Sequence, residues 1–171
     1  MVIEKNSRCV KMKLPNLKVV DILTSVFDEI NNWLQDSVEK PESGGYVVGY
    51  QHKETGNISL EAVSHPYLMD IKNRVGFDIR DPRHNFFLKK AQRRKSYYMG
   101  VWHTHPQRIP IPSNVDWIDW YKTMQMDKTG SNYIFFIIAG TEEIRVWIGN
   151  SETKEIVEIF ECEKVGDLYK V

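Results

Sequence analysis

Two histidines two positions apart, His103 and His105, close an apolar run, and Pro106 follows them directly. Side chains at i and i+2 of a strand share one face, and proline has no N–H to give to a ladder, so the strand ends there. A proline-rich loop over 107–112 leads to Ser113-Asn114-Val115-Asp116. Serine three residues ahead of an acidic side chain at a helix start is a capping pattern. A chain with this stretch must end a strand beside the mouth of a helix. The imidazoles of His103 and His105 can then converge with the Asp116 carboxylate on one ion, at the distance of about 2.0–2.1 Å that zinc prefers. Two histidines and one carboxylate leave a fourth tetrahedral position for water, which marks a catalytic zinc site. Each half also has a plainer reading, an incidental histidine pair and a simple helix cap. The two are compatible, because a cap would hold Ser113 and Asp116 beside the strand end.

Composition narrows the class. The chain has 171 residues, 42% of them hydrophobic and 27% charged, as expected of one globular domain spanning 1–171. Lys+Arg and Asp+Glu both number 23, so no global field draws the protein to nucleic acid or to a membrane surface. Two cysteines, Cys9 and Cys162, are too few and too far apart for a disulfide framework or a cysteine zinc site. They can pair only if terminal strands lie side by side, and free thiols are expected. The first residues, Met1 to Asn6, carry charge where a signal peptide would be apolar, and the longest apolar run, Tyr133 to Gly140, is too short to span a bilayer. A cytoplasmic location is expected.

Along the chain, Cys9–Leu14 alternates like a half-buried strand. Val20, Leu23, Phe27, Ile30 and Leu34 recur at helical spacing, predicting a helix from Val19 to about Ser37. Residues 45–63 read as a hairpin around Lys53-Glu54-Thr55-Gly56-Asn57. His65 to Asp81 reads as irregular, with a short strand at 75–79, and is the candidate substrate-facing loop. Asp81-Pro82 starts a helix carrying Phe86, Phe87, Leu88 and Ala91 and ending in the basic run 89–95. Tyr97–Thr104 is a buried strand. Ser113–Asp127 is a helix with Val115, Ile118 and Tyr121 as core candidates, in a cluster of aromatics around Trp117 and Trp120. Strands at 134–139, 143–149 and 154–161 close the chain. This mixture predicts an α/β fold, a mixed sheet flanked by helices in two or three layers, and not a doubly wound parallel one.

Hydrolysis by a zinc-activated water also needs a group to take and return a proton. Glu42, Glu54 and Glu61 are the candidates. Glu54 sits in turn chemistry, and the face of Glu61 is open. Glu42 leads narrowly, because Gly44-Gly45 after it lets the backbone approach another element closely.

Taken together, Glu42-x-Gly44-Gly45, then Gly-x-Trp-His103-x-His105-Pro106, then Ser113-x-x-Asp116 resembles the JAMM motif of the JAB/MPN metalloproteases. The resemblance covers roughly residues 20–150 in element order. It implies an MPN/JAB fold, similar to that of zinc deaminases, although the deaminase His-x-Glu and Pro-Cys-x-x-Cys signature is missing. It implies one zinc ion per chain, held by His103, His105 and Asp116, with Glu42 as the general acid/base and Ser113 steadying the oxyanion. The implied reaction is hydrolysis of an amide or isopeptide bond. The run Tyr97 to Pro106 in a short stand-alone domain is similar to bacterial members found in CBASS anti-phage operons, beside conjugating-enzyme-like proteins. The implied partner is a ubiquitin-like C-terminal tail or its conjugate. Processing of sulfur carriers or short C-terminal extensions is the alternative activity, and a metal-free MPN scaffold the alternative class. His65, His84 and Asp70 do not read as a second metal site; isolated histidines in a loop and a helix are expected to be surface or hydrogen-bonded residues. The basic run reads as a solvated helix end, so nucleic acid is not an expected partner.

Overall fold

Tyr133–Ala139 has no polar side, and it is buried along its whole length. A strand of this kind belongs in the middle of a sheet covered on both faces. The structure, a computed structural model, describes residues 9–73, 76–129, 131–165 and 168–170. In chain order its elements are β1 (Cys9–Lys13), β2 (Val19–Leu23), α1 (Thr24–Asn31), β3 (Gly44–Gln51), β4 (Ile58–Val63), β5 (Ile71–Asn73) and β6 (Gly76–Asp78). Then follow α2 (Arg83–Arg93), β7 (Tyr97–Thr104), α3 (Asn114–Met126), β8 (Tyr133–Ala139), β9 (Ile144–Asn150), β10 (Ile156–Ile159), β11 (Glu163–Val165) and β12 (Leu168–Lys170).

Eight strands form one mixed sheet in the order β1-β2-β4-β3-β7-β8-β9-β10. The β2–β4 and β7–β8 pairs are parallel, and the others are antiparallel. Strand periodicity splits the core in two. Phe135, Ile137 and Ala139 of β8 pack with Val26, Phe27 and Ile30 of α1. Ile134, Phe136 and Ile138 face the other way, onto Trp120 and Met124 of α3. The sheet is therefore the middle of three layers. The mixed α/β architecture is the one expected.

Several elements differ from the sequence reading. The helix expected from Val19 begins only at Thr24 and ends at Asn31, because residues 19–23 are a strand. Val20 and Ile22 are fully buried between neighbours, with β1 on one side and β4 on the other. Val20 fits both a period of two and a period of 3.6, and tertiary pairing decided between them. Trp33 and Leu34 lie beyond the helix but still pack on the core.

On α3 the expected core residues Val115, Ile118 and Tyr121 are exposed, at 58%, 55% and 48%. The buried side is Trp120 and Met124, one helical turn apart. The Trp120 ring stacks on Phe136 at 4.8 Å and meets Trp147 at 5.4 Å, and this ring pile sets which side of the helix faces the sheet. On α2 the buried residue is His84; Phe87, Leu88 and Ala91 are half-buried, and Phe86 is exposed. The inner face of α2 meets a polar network, as follows.

His84 Nε2 donates to Asp70 Oδ2 at 2.7 Å. Its Nδ1 is then left to accept from Ser64 Oγ at 2.8 Å, and Ser64 Oγ accepts from the Tyr46 N–H. Asp70 also accepts backbone N–H groups from Tyr67, Arg80 and Asp81. A buried polar cluster is stable only when every member has a partner, and here each does. The network closes the stem of the stretch read as irregular, which carries a two-stranded hairpin, β5–β6. The expected strand at 75–79 is β6, and its first residue, Val75, lies outside the described residues. Cys9 and Cys162 are free thiols. Among the described residues no helix is long and apolar enough to cross a membrane.

Candidate metal centre

Parallel neighbours cannot be joined by a tight turn, so β7 and β8 require a crossover, and α3 is that crossover. The chain leaves the carboxyl end of β7 at Thr104, loops through 105–113, and starts α3 there. The helix mouth therefore faces the strand end that carries the histidines. Ser113 is the N-cap: its Oγ accepts the Asp116 N–H, and the Asp116 carboxylate accepts the Ser113 N–H at 2.7 Å. The expected capping box is present, and it fixes Asp116.

His103, His105 and Asp116 meet. His103 Nε2 lies 3.1 Å from His105 Nε2 and 3.1 Å from Asp116 Oδ1, and His105 Nε2 lies 3.2 Å from Asp116 Oδ2. Donors each about 2.0–2.1 Å from one zinc ion in a tetrahedron would be about 3.3 Å apart, close to these separations, in which the two carboxylate oxygens each face one imidazole. Two nitrogens and one carboxylate are also the donor set that suits zinc. Among the described residues this is the group of three that could hold a metal ion. The residues present fit the ion that the family resemblance implies.

Burial pushes the Asp116 carboxyl up, but hydrogen bonds from both imidazoles and from the Ser113 N–H outweigh it and hold the group well below the usual carboxylate range. Asp116 thus stays ionised, as a ligand must. His105 Nδ1 faces Gln107 Oε1 at 3.4 Å, and the same oxygen accepts the Ile111 N–H. An imidazole that keeps its Nδ1 proton and donates that N–H to such a partner would present the Nε2 lone pair to an ion. The sequence reading missed Gln107, because nothing in a proline-rich loop shows which side chain folds back.

Glu42 precedes β3, which runs antiparallel to β7 and pairs Gly44 with His103. This register sets Glu42 beside the ligand group, with Oε1 3.8 Å from His105 Nε2. The glycines are needed: a Cβ on Gly44 would come within 2.6 Å of the Trp102 carbonyl oxygen, and one on Gly45 within 2.2 Å of the Ser64 carbonyl oxygen. Glu42 is 6% exposed. Burial raises its pKa, with the Asp116 charge adding and the two imidazoles opposing. Of the other candidates, Glu54 is exposed in its turn and Glu61 is half-buried on β4; neither lines the cavity beside the histidines.

That cavity, about 270 Å³, is walled by Glu42, Tyr46, Phe77, Val101, His103 and Asp116 among others. A second, of about 470 Å³, shares Phe77, Asp78, Asp119 and Thr123 with it. The two make one groove between the β5–β6 hairpin and α3, leading to the histidines. Ser113 is exposed beside Asp116 and does not line this cavity. His65 does not join the His84–Asp70 pair; it stacks on Trp33. The basic residues of 89–95 are exposed.

The family model described as prokaryotic homologs of the JAB domain matches residues 24–154. A CD-NTase/cGAS isopeptidase of Escherichia coli (strain TW11681) is 26% identical over 143 residues, 82% of this chain and 86% of that protein. A protein of the same name from Vibrio cholerae serotype O1 is 28% identical over 123 residues, 70% of this chain and 73% of that protein. A Desulfitobacterium hafniense protein solved in solution aligns with a TM-score of 0.53 at 15% identity, over 84% of this chain and 90% of that one, which speaks for the fold alone.

Proposed function

The chain belongs to the prokaryotic homologs of the JAB domain, and from that premise we propose that it is a zinc-dependent isopeptidase that cleaves an amide bond at the C-terminal tail of a ubiquitin-like protein or its conjugate. The observation that carries this reading is the triangle of His103, His105 and Asp116 with Glu42 beside it. The names of two curated relatives, each a CD-NTase/cGAS isopeptidase, support an isopeptide conjugate as substrate, with a CD-NTase as its modified partner.

Zinc held by those three residues would supply Lewis acidity, which makes a water molecule ionisable near neutral pH and polarises a carbonyl. The chain's own residues do the rest. Glu42 Oε1 takes the proton released by the attacking water and returns it to the nitrogen of the leaving amine. Its raised pKa suits both halves of that exchange, since a base that is too acidic holds no proton to return. Ser113 Oγ accepts from the Asp116 N–H, so its own hydroxyl hydrogen is free to donate to an oxyanion. The groove between the hairpin and α3 receives the substrate tail in an extended form.

The test combines metal content with cleavage. The purified protein should hold about one zinc per chain. Glu42→Gln should keep that zinc and lose cleavage of a ubiquitin-like protein joined through its C-terminus to a lysine. A protein that takes up no zinc would instead be the metal-free scaffold, and full turnover by Glu42→Gln would remove Glu42 from its role.

A further inference from the structure

Glu42 sits 3.8 Å from His105 Nε2, too far for a hydrogen bond, so its place is set through the backbone. On one side the Glu42 N–H donates to the Asn73 carbonyl. On the other, Ser43 meets Thr104, the residue between the two histidines. The Thr104 N–H donates to the Ser43 carbonyl at 2.9 Å. In a regular antiparallel pair the reciprocal bond would run from the Ser43 N–H to the Thr104 carbonyl. Here the Ser43 N–H donates to Thr104 Oγ1 instead, at 2.9 Å. A side chain thus takes the place of a backbone acceptor, and the chain at Glu42 can leave the ladder with its neighbour's N–H still satisfied.

Thr104 Oγ1 in turn donates to Gln35 Oε1 at 2.9 Å, and Gln35 Nε2 donates to the Lys40 carbonyl at 3.2 Å. Thr104, Gln35 and Ser43 are all buried, at 0%, 4% and 5% exposure. Thr104 points away from the histidines, to the face where its neighbour Trp102 joins the apolar core. A hydroxyl in such a place is costly unless fully bonded, and this one both accepts and donates.

We propose that Thr104 and Gln35 are positioning residues: they clamp the 35–43 segment to β7 and so hold Glu42 in register with His103 and His105. This rests on the reading of Glu42 as the proton-transfer group, but the clamp itself can be tested without it. Thr104→Val keeps the shape and removes the oxygen. Its Ser43 amide should exchange with deuterium roughly tenfold faster or more, as local opening becomes easier. Zinc content should stay at that of the parent. kcat should fall roughly tenfold to a hundredfold, the cost of a small displacement of a catalytic group, with KM nearly unchanged. Thr104→Ser should restore both exchange and kcat. Gln35→Met attacks the same clamp from the loop side, and serves if Thr104→Val does not fold. Combined with Thr104→Val it should add little, because both break one unit.

Unchanged Ser43 exchange in Thr104→Val overturns the clamp. Faster exchange with unchanged kcat overturns its role in placing Glu42. A parent protein that cleaves nothing would fail the proposed function, while the exchange result would still decide the clamp.

Discussion

At the scale of single residues, the candidate site divides into the groups that would hold the ion or move the proton and the groups that position them. Gln107 is of the second kind. Its replacement by Ala should weaken zinc binding by roughly tenfold to a hundredfold without removing a ligand, measured by competition with a chromogenic chelator. Asp70 gives a pH prediction away from the metal centre. Burial raises its carboxyl pKa, but N–H donors from Asp81, Tyr67 and Arg80 and the His84 ring lower it overall. A carboxylate whose folded pKa lies below its unfolded value stabilises the fold above that unfolded value, near about 3.9, and loses the contribution as pH falls through the folded value. The urea midpoint of the parent should therefore fall between pH 6 and pH 3, and Asp70→Asn should show a smaller change over that range. His103, His105 and Asp116 were legible in the sequence because strand alternation and a helix cap are local rules. Gln35, Gln107 and the Ser64–His84–Asp70 network were not. Each depends on a loop folding back onto a distant element, and no period in the sequence records that.

At the scale of elements, α3 shows where local pattern stops being informative. Nearly every turn of it offers an apolar residue, so several sides looked fit for burial. The aromatic pile with Phe136 and Trp147 selects Trp120 and Met124. Trp120→Ala should cost about 3–5 kcal/mol, as deletions of large buried side chains do, read from denaturant unfolding. Ile118→Ser should stay within about 0.5 kcal/mol of the parent by the same measurement, although the sequence placed that residue in the core. The strand at 19–23 shows the converse. Its side chains satisfy two periods, and partners on both sides, invisible in the sequence, decide for the strand. The short hairpin β5–β6 was missed as a pair, since three-residue strands carry too little alternation to read.

At the scale of the whole molecule, a mixed α/β sheet flanked by helices could be read from the alternation of element types, but the strand order could not. Side-chain periodicity says which face a residue occupies and nothing about which strand lies beside it. The parallel β7–β8 pair is the part of the topology that matters most, because it forces a crossover and delivers the helix mouth to the strand end. The consequence is mechanical. One donor residue, His103, belongs to the sheet, a second, His105, follows directly on the end of β7, and the third belongs to a helix on the outer layer, so an ion gripped by all three is a rivet between layers. Zinc at one hundred times its dissociation constant should then stabilise the protein by about 2.7 kcal/mol, seen as a higher melting temperature that chelation reverses. Asp116→Ala should erase most of that gain, and the first amides to lose protection on chelation should be those at the start of α3.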